Sequence, residues 1–309
     1  MERPWGGRRL ETELHLSLPA TVPIGELWGI SDRPEAQSIV CDGPFQGTSM
    51  HELWTEQRAE IFGTNHLANP SPKFPLLCKL LDAAEPLSLQ VHPRAAEAVL
   101  LHGEPKTECW YFLNAQPGAF CYAGLRKGVT QEAFEKALNE GTLEPLLHTI
   151  PIKSGESLFI PSGRLHAIGK GVLLVEIQQN SDTTYRVFDW NRRDLQGNLR
   201  TLHIKEALAS IDFTDYEPTL KDTSKAPVAD SDFFHVEKWI LDAPRLAVEP
   251  NDFALFTCLT GNVTCGDQTY HPGDFFLVPT SMQGVLLLPQ TVHTSVLCTH
   301  LPTSKSSVL

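Results

Sequence analysis

Residues 87–93 read Leu-Ser-Leu-Gln-Val-His-Pro, so apolar and polar side chains alternate until a proline stops the pattern. In a strand, side chains at i and i+2 share a face. Gln90 and His92 should therefore point together, away from core-facing Leu87, Leu89 and Val91. Pro93 has no amide hydrogen to offer a ladder and ends the strand. Residues 106–113 alternate again. Lys106, Glu108, Trp110 and Phe112 fall on one face; Thr107, Cys109, Tyr111 and Leu113 fall on the other. Glu108 can face Gln90 and His92 from a nearby strand, with Lys106 beside it. A third stretch, Gly155 to His166, has a short apolar run over Ser157–Ile160 and a Pro161-Ser-Gly163 turn, where glycine allows positive φ. His166 sits just beyond that turn. Gln90, His92, Glu108 and His166 read together as one metal site of two imidazoles, a carboxylate and an amide oxygen. Zinc takes imidazole nitrogen and carboxylate oxygen and keeps a position open in catalytic sites. The donor types alone leave Fe, Mn, Co and Ni in play.

The rest of the chain also favours strands over long helices, because its apolar runs are short and its 23 prolines and 21 glycines punctuate them. Helices are expected over Ser49–Phe62 and over Gln131–Leu138, the latter with Thr130 as N-cap and Gly141 as stop. Shorter ones are expected over Leu143–His148 and His203–Ser210. The helical stretch at about 130–148 lies between the two halves of the metal site and reads as an insertion. Residues 215–232, rich in Pro, Lys, Asp, Thr and Ser, read as a linker. Beyond it, Tyr270–Pro279 echoes Ile152–Pro161: both run Gly, acidic residue, apolar run, Pro. The second copy continues Thr280-Ser-Met-Gln283, with no histidine at the ligand offset. The division expected is thus a metal-bearing domain over 1–214, a linker over 215–232, and a strand-rich domain over 233–309 with a structural role and no metal.

A formal net charge of −12 argues against broad nucleic-acid or anionic-membrane binding, although a local basic pocket remains compatible with it. Met1-Glu-Arg-Pro-Trp lacks the apolar core of a signal peptide, and no run of about twenty apolar residues is present. The seven cysteines show no C-x-x-C pairing, and an odd count fits a reducing cytosol. The expectation is a cytoplasmic protein without nucleic-acid or membrane partners. Oligomeric state is not readable.

The order Gly155, Pro161, Gly163, His166 resembles the second motif of the cupin superfamily, whose members are double-sheet jelly rolls. Gln90-x-His92 stands where cupins carry His-x-His, and Lys170 stands where an asparagine often follows the last histidine. Further stretches narrow the resemblance. Gln-Val-His-Pro93, Lys106-Thr-Glu-Cys-Trp-Tyr111 and Pro161-Ser-Gly-Arg-Leu-His-Ala167 resemble the type I mannose-6-phosphate isomerases. So do Arg3-Pro-Trp-Gly-Gly7, Ile24–Asp32, Phe74–Lys79 and Glu176–Arg192. Pro105 in place of the usual glycine, and Arg94-Ala95 in place of a common acidic pair, are departures in the 94–105 loop.

The resemblance implies a mainly β fold: a cupin-type jelly roll with helical insertions and a second, degenerate cupin-like domain. It implies one zinc ion per chain and a phosphorylated hexose as substrate, with mannose 6-phosphate and fructose 6-phosphate interconverted through an enediol(ate). It marks Arg186 as catalytic, in Thr184–Phe188, where alternation sets it on a face with Thr184 and Phe188. Lys106 is the second catalytic candidate. The general base stays open among Lys106, Glu108, another acid and a metal-bound hydroxide. Candidate substrate contacts are Trp5, Ser88, Lys79 and Arg94, with Arg192 also considered for the phosphate.

Plainer readings stand beside these. Lys106 next to Glu108 can be a structural ion pair, and Arg186 can pair with Asp182 or Asp189. Trp110 and Tyr111 suit packing, and His15, His51, His102, His148, His203, His235, His271, His293 and His300 read as non-ligands. A sugar-binding protein on the same fold and an iron-dependent cupin oxygenase are the competing functions. Turnover separates the first from an isomerase, and metal content separates the second.

Overall fold

Alternating sequences need two covered faces to become buried strands, and this chain supplies them by stacking sheets and then laying helices outside. The computed structural model describes residues 1–19, 21–193, 197–224 and 227–302. Two compact units emerge. The first comprises Met1–Arg9, Leu18–Leu27 and Leu80–Asp222; the second comprises Leu10–Ser17, Trp28–Lys79 and the chain from Thr223 onward.

The site-bearing unit is built on two antiparallel sheets. One runs in the order Lys221–Asp222, Glu156–Ile160, Glu108–Ala115, Val172–Gln179. The other runs Tyr185–Phe188, Leu89–Val91, His166–Ile168, Phe120–Leu125, Leu147–Pro151. Trp110, Phe112 and Leu174 of the first sheet share one buried core with Cys121, Ala123 and Ile168 of the second. The sheets therefore pack face to face as a sandwich. The outer face of the second sheet is also buried. Leu89, Val91, Ala167 and Val187 meet Phe134 and Ala137 of one helix and Ala207 of another in a second core.

This double covering changes one expectation. Leu89 and Val91 do face a core, but it is the one beneath the helices, and Leu87 belongs to the other core inside the sandwich. The polar face of the strand, carrying Gln90, thus points into the protein between the sheets. Alternation holds within Leu89–Val91, fails for Leu87 just before the strand, and cannot report that both faces are covered.

The helix Gln131–Glu140 forms as its punctuation implies. The Thr130 hydroxyl accepts from the Ala133 amide at 3.2 Å, and Gly141 stops the helix at φ 69°. The second helix expected over 143–148 is only a 3-10 turn, Glu144–Leu146, followed by the strand Leu147–Pro151. Pro145 sits in that first turn, and Leu147 and Ile150 are buried on opposite faces of the strand, Leu147 in the core beneath the helices and Ile150 in the core inside the sandwich. Ile204–Ser210 is helical, with His203 at its N-cap.

In the second unit, Ala229–Asp230, His235–Ile240, Ser295–His300, Ala254–Thr260 and Phe275–Val278 form one sheet. Arg245–Leu246, Leu286–Pro289, Val263–Cys265 and Gln268–Tyr270 form another. Trp239, Phe256, Val263, Leu287 and Cys298 fill a common core. The 49–62 segment is two short helices, Met50–Glu56 and Arg58–Ile61, separated at Gln57. Trp54 and Phe62 stack edge to face at 5.0 Å, and Phe62 meets Phe253 at 4.9 Å. That aromatic cluster is why residues 28–79 group with the C-terminal strands, a different partition from a boundary near residue 214. The 215–232 stretch contributes two edge strands, Lys221–Asp222 and Ala229–Asp230; residues 225–226 within it lie outside the described residues.

The internal repeat has a register. Ile160, just before Pro161, pairs with Glu108; Val278, just before Pro279, pairs with Ala254. Leu158 pairs with Trp110 as Phe276 pairs with Phe256. The second unit thus repeats the strand pair and carries a methyl group where the first carries the Glu108 carboxylate. No helix among the described residues is long and apolar enough to cross a membrane.

Candidate metal centre

Register brings the polar residues together. On the second sheet, His166 and Arg186 both stand opposite Gln90 on flanking strands. Directly opposed residues share a face, so all three side chains enter the sandwich. On the first sheet, Glu108 continues the inward face of Trp110 and Phe112, and Gln178 stands opposite it. His92 follows the end of the Leu89–Val91 strand. Its carbonyl accepts from the Gly163 amide at 2.8 Å, and Gly163 holds φ at 93°, which favours glycine. Ser162 in the same turn accepts from the Lys106 amide at 3.1 Å and lies 3.2 Å from the Thr107 hydroxyl. One turn therefore ties together the three stretches that carry the donors.

His92, Glu108 and His166 are each about 1% exposed, and their donor atoms all lie within 4.8 Å of one another. His92 Nε2 is 3.5 Å from Glu108 Oε2, and His166 Nε2 is 3.5 Å from Glu108 Oε1. The far nitrogens are held by backbone. His92 Nδ1 donates to the Thr183 carbonyl at 2.8 Å and His166 Nδ1 to the Arg164 carbonyl at 2.9 Å. A carbonyl can only accept, so both protons sit on Nδ1 and both Nε2 lone pairs turn inward. This is the arrangement of outer hydrogen bonds that orients metal-ligating imidazoles. Gln90 completes the set: its Nε2 lies 3.3 Å from His166 Nε2, and its Oε1 accepts from Ser88 at 3.0 Å. A half-turn of the amide exchanges these roles, aiming Oε1 inward and letting Nε2 donate to the Ser88 hydroxyl. The donor set therefore fits a dipositive ion that accepts nitrogen and oxygen ligands.

The electrostatics agree. Burial, reinforced by the Lys106 ammonium, pushes the His92 pKa down to about 4. Burial also lowers His166. Both rings are neutral at neutral pH, as ligation requires. Burial pushes the Glu108 carboxyl upward, yet Lys106 and the imidazoles outweigh it and hold it well below the usual range. Lys106 is itself buried and keeps its charge. Burial opposes the ammonium, but Glu108 and Glu176 raise its pKa. Its Nζ donates to Glu108 Oε2 at 2.5 Å and to Glu176 at 3.3 Å, and stands 3.2 Å from His92 Nε2.

Arg186 is half-buried and makes no ion pair among the described residues, and its buried Nε has no hydrogen-bond partner. Asp189 is engaged by Arg200 at 3.4 Å instead. Burial, then neighbouring Arg200, lowers the Arg186 pKa, with Asp189 and Asp182 acting the other way. A half-buried guanidinium without an ion pair among the described residues thus stands opposite Gln90.

The other candidates scatter. Trp5 is packed in the sandwich core with Trp110 and Leu158. Ser88 is buried and its hydroxyl is committed to Gln90. Arg94 is exposed and bonds Glu97 at 2.9 Å, with Asp212 at 3.6 Å. Lys79 is buried in the second unit, 5.0 Å from the Trp28 ring centre. Arg192 donates to the Pro86 carbonyl. Trp110 packs as expected, with its ring 5.5 Å from the His166 imidazole. Sequence reasoning assigned no role to Glu176 or Gln178. The signal was present: Val172, Leu174, Glu176 and Gln178 share one inward strand face, so a carboxylate and an amide interrupt an apolar run.

Comparison with known proteins accords with this geometry. Residues 1–116 match the family described as phosphomannose isomerase type I, catalytic domain. A mannose-6-phosphate isomerase of Streptococcus mutans is 37% identical over 290 residues, 90% of each chain. Mannose-6-phosphate isomerase ManA of Bacillus subtilis is 34% identical over 291 residues, again 90% of each. The crystal structure of a mannose 6-phosphate isomerase from Bacillus subtilis superposes with a TM-score of 0.86 at 30% identity, covering 97% of both chains. With two stacked sheets, the inward donor set and full-length likeness all in agreement, this chain belongs to the type I mannose-6-phosphate isomerase family, an isomerase on a cupin-like fold.

Proposed function

We propose that this chain interconverts mannose 6-phosphate and fructose 6-phosphate using one zinc ion held by Gln90, His92, Glu108 and His166. The observation that carries the proposal is the buried convergence of two inward-facing Nε2 lone pairs on the Glu108 carboxylate, with the unpaired Arg186 guanidinium on the same sheet face. Relatives named for this reaction, alike over 90% of the chain, supply the substrate. When bound, zinc supplies a Lewis acid for a sugar oxygen and brings no redox chemistry.

The chain's own residues account for the rest. Moving the carbonyl from C1 to C2 takes a proton from C2, returns one to C1, and places negative charge on the C1 and C2 oxygens between. Arg186 stabilises that charge. It is already desolvated and needs no partner exchanged before it acts, which is the condition for strong electrostatic stabilisation. Lys106 holds Glu108 and Glu176 in place and adds positive charge to the same end of the sandwich. The shared core behind Trp110 and Phe112 closes the site to water from below. Purified protein incubated with mannose 6-phosphate should form fructose 6-phosphate. Turnover of a different aldose, with none of mannose 6-phosphate, would reassign the substrate while keeping the chemistry.

A further inference from the structure

We infer that Gln178 is a positioning residue for the metal centre, acting through the turn at residues 179–183. The inference rests on the metal-site reading above. Gln178 is fully buried, on the inward face opposite Glu108. Its amide nitrogen spends both hydrogens on backbone, donating to the Gln179 carbonyl at 2.8 Å and the Ser181 carbonyl at 2.6 Å. Those two bonds act beside the turn's own backbone bond, from the Ser181 amide to the Gln179 carbonyl at 2.7 Å, to hold the chain where it leaves the strand. The same turn carries the Thr183 carbonyl that accepts from His92 Nδ1 and so fixes which nitrogen of His92 faces the ligands. The far side of the turn is clasped to Glu104 and Thr107, on either side of Lys106. Thr183 Oγ1 accepts from the Glu104 amide at 3.0 Å, Ser181 Oγ donates to the Glu104 carbonyl at 3.2 Å, and Gln179 Oε1 accepts from the Thr107 amide at 2.8 Å.

The amide oxygen shows why a glutamine is needed there. Gln178 Oε1 is buried and has no hydrogen-bond partner. A buried, unpaired acceptor carries a desolvation penalty. Methionine or leucine would avoid it and fill similar space, so what the glutamine contributes is its pair of donors. The Thr183 carbonyl is the outer-shell partner of His92, and disturbing such a partner typically changes metal affinity about 10- to 100-fold.

The test is zinc affinity, measured by chelator competition on purified full-length chains and needing no turnover. Gln178→Glu keeps the size but turns acceptors toward two carbonyls; Gln178→Met keeps the bulk without donors. Both should weaken zinc binding by about 10- to 100-fold, Gln178→Glu more than Gln178→Met. Ser181→Ala, which removes a separate pin of the same turn, should weaken it in the same direction by a smaller factor. A purely packing role predicts that Gln178→Met binds zinc within twofold of the parent, and that result would overturn the inference even if Gln178→Glu failed to fold. A parent chain that binds zinc tightly yet leaves mannose 6-phosphate unchanged would remove the functional proposal and leave this one standing.

Discussion

At the scale of single residues, the proposed metal ligands and the proposed charge-stabilising arginine are held in different ways. His92 and His166 each place one nitrogen on a backbone carbonyl and the other toward Glu108. Replacing either with alanine removes a ligand and leaves a buried polar void. His92→Ala and His166→Ala should each lose most bound zinc, seen by elemental analysis after dialysis, with turnover falling below detection. Arg186 is different. It lies opposite Gln90 but is not a donor to a cation. Arg186→Ala should keep a full complement of zinc while kcat falls about 100- to 1000-fold, the usual cost of removing one group aimed at developing negative charge. Arg186→Ala with unchanged kcat would contradict its role. Strand spacing in the sequence places Gln90 and His92 on one face, whereas Arg186 is marked out only by the family resemblance. What stayed illegible was each side chain's commitment: Asp189 goes to Arg200, and Ser88 goes to Gln90, through contacts that local pattern does not contain.

At the scale of elements, the sequence was most informative where punctuation was strong and least where two readings competed. Thr130 and Gly141 bracket Gln131–Glu140 as their capping chemistry implies. The 143–148 stretch has helical composition, but Pro145 and the burial of Leu147 and Ile150 favour a 3-10 turn and a strand. The Leu89–Val91 strand shows the limit of periodicity most clearly. Leu89 and Val91 share a face as expected and Leu87 does not, and the helices that bury that face lie about 40 and more residues further along the chain. That outer layer matters to the site, because it backs the strands that carry Gln90, His166 and Arg186. Phe134 is fully buried in it. Phe134→Ala should cost about 3–5 kcal/mol by cavity formation, against about 1 kcal/mol for Thr130→Ala through the lost cap. Denaturant unfolding of the zinc-loaded chains would rank the two, and a Thr130→Ala cost equal to that of Phe134→Ala would show that the helix is held by its cap rather than by its core.

At the scale of the whole molecule, one strand pairing occurs twice with different consequences. Both units set an apolar strand ending in proline against a partner strand, and both bury an aromatic residue at the same register step, Trp110 in one and Phe256 in the other. Only the first places a carboxylate at the next inward position; the second places Ala254 there. The repeat was visible in sequence from its Gly, acidic, apolar, Pro signature, whereas the Glu108 to Ala254 exchange needed the register. An isomerase site that depends on a metal held by four residues of the first unit should lose turnover with that metal. The most direct measurement is turnover of mannose 6-phosphate by the purified chain before chelation, after removal of metal, and after stoichiometric zinc is returned. The account predicts activity, loss, and recovery at about one zinc per chain, with no recovery in His166→Ala. Full activity in chain shown by elemental analysis to be metal-free would contradict it.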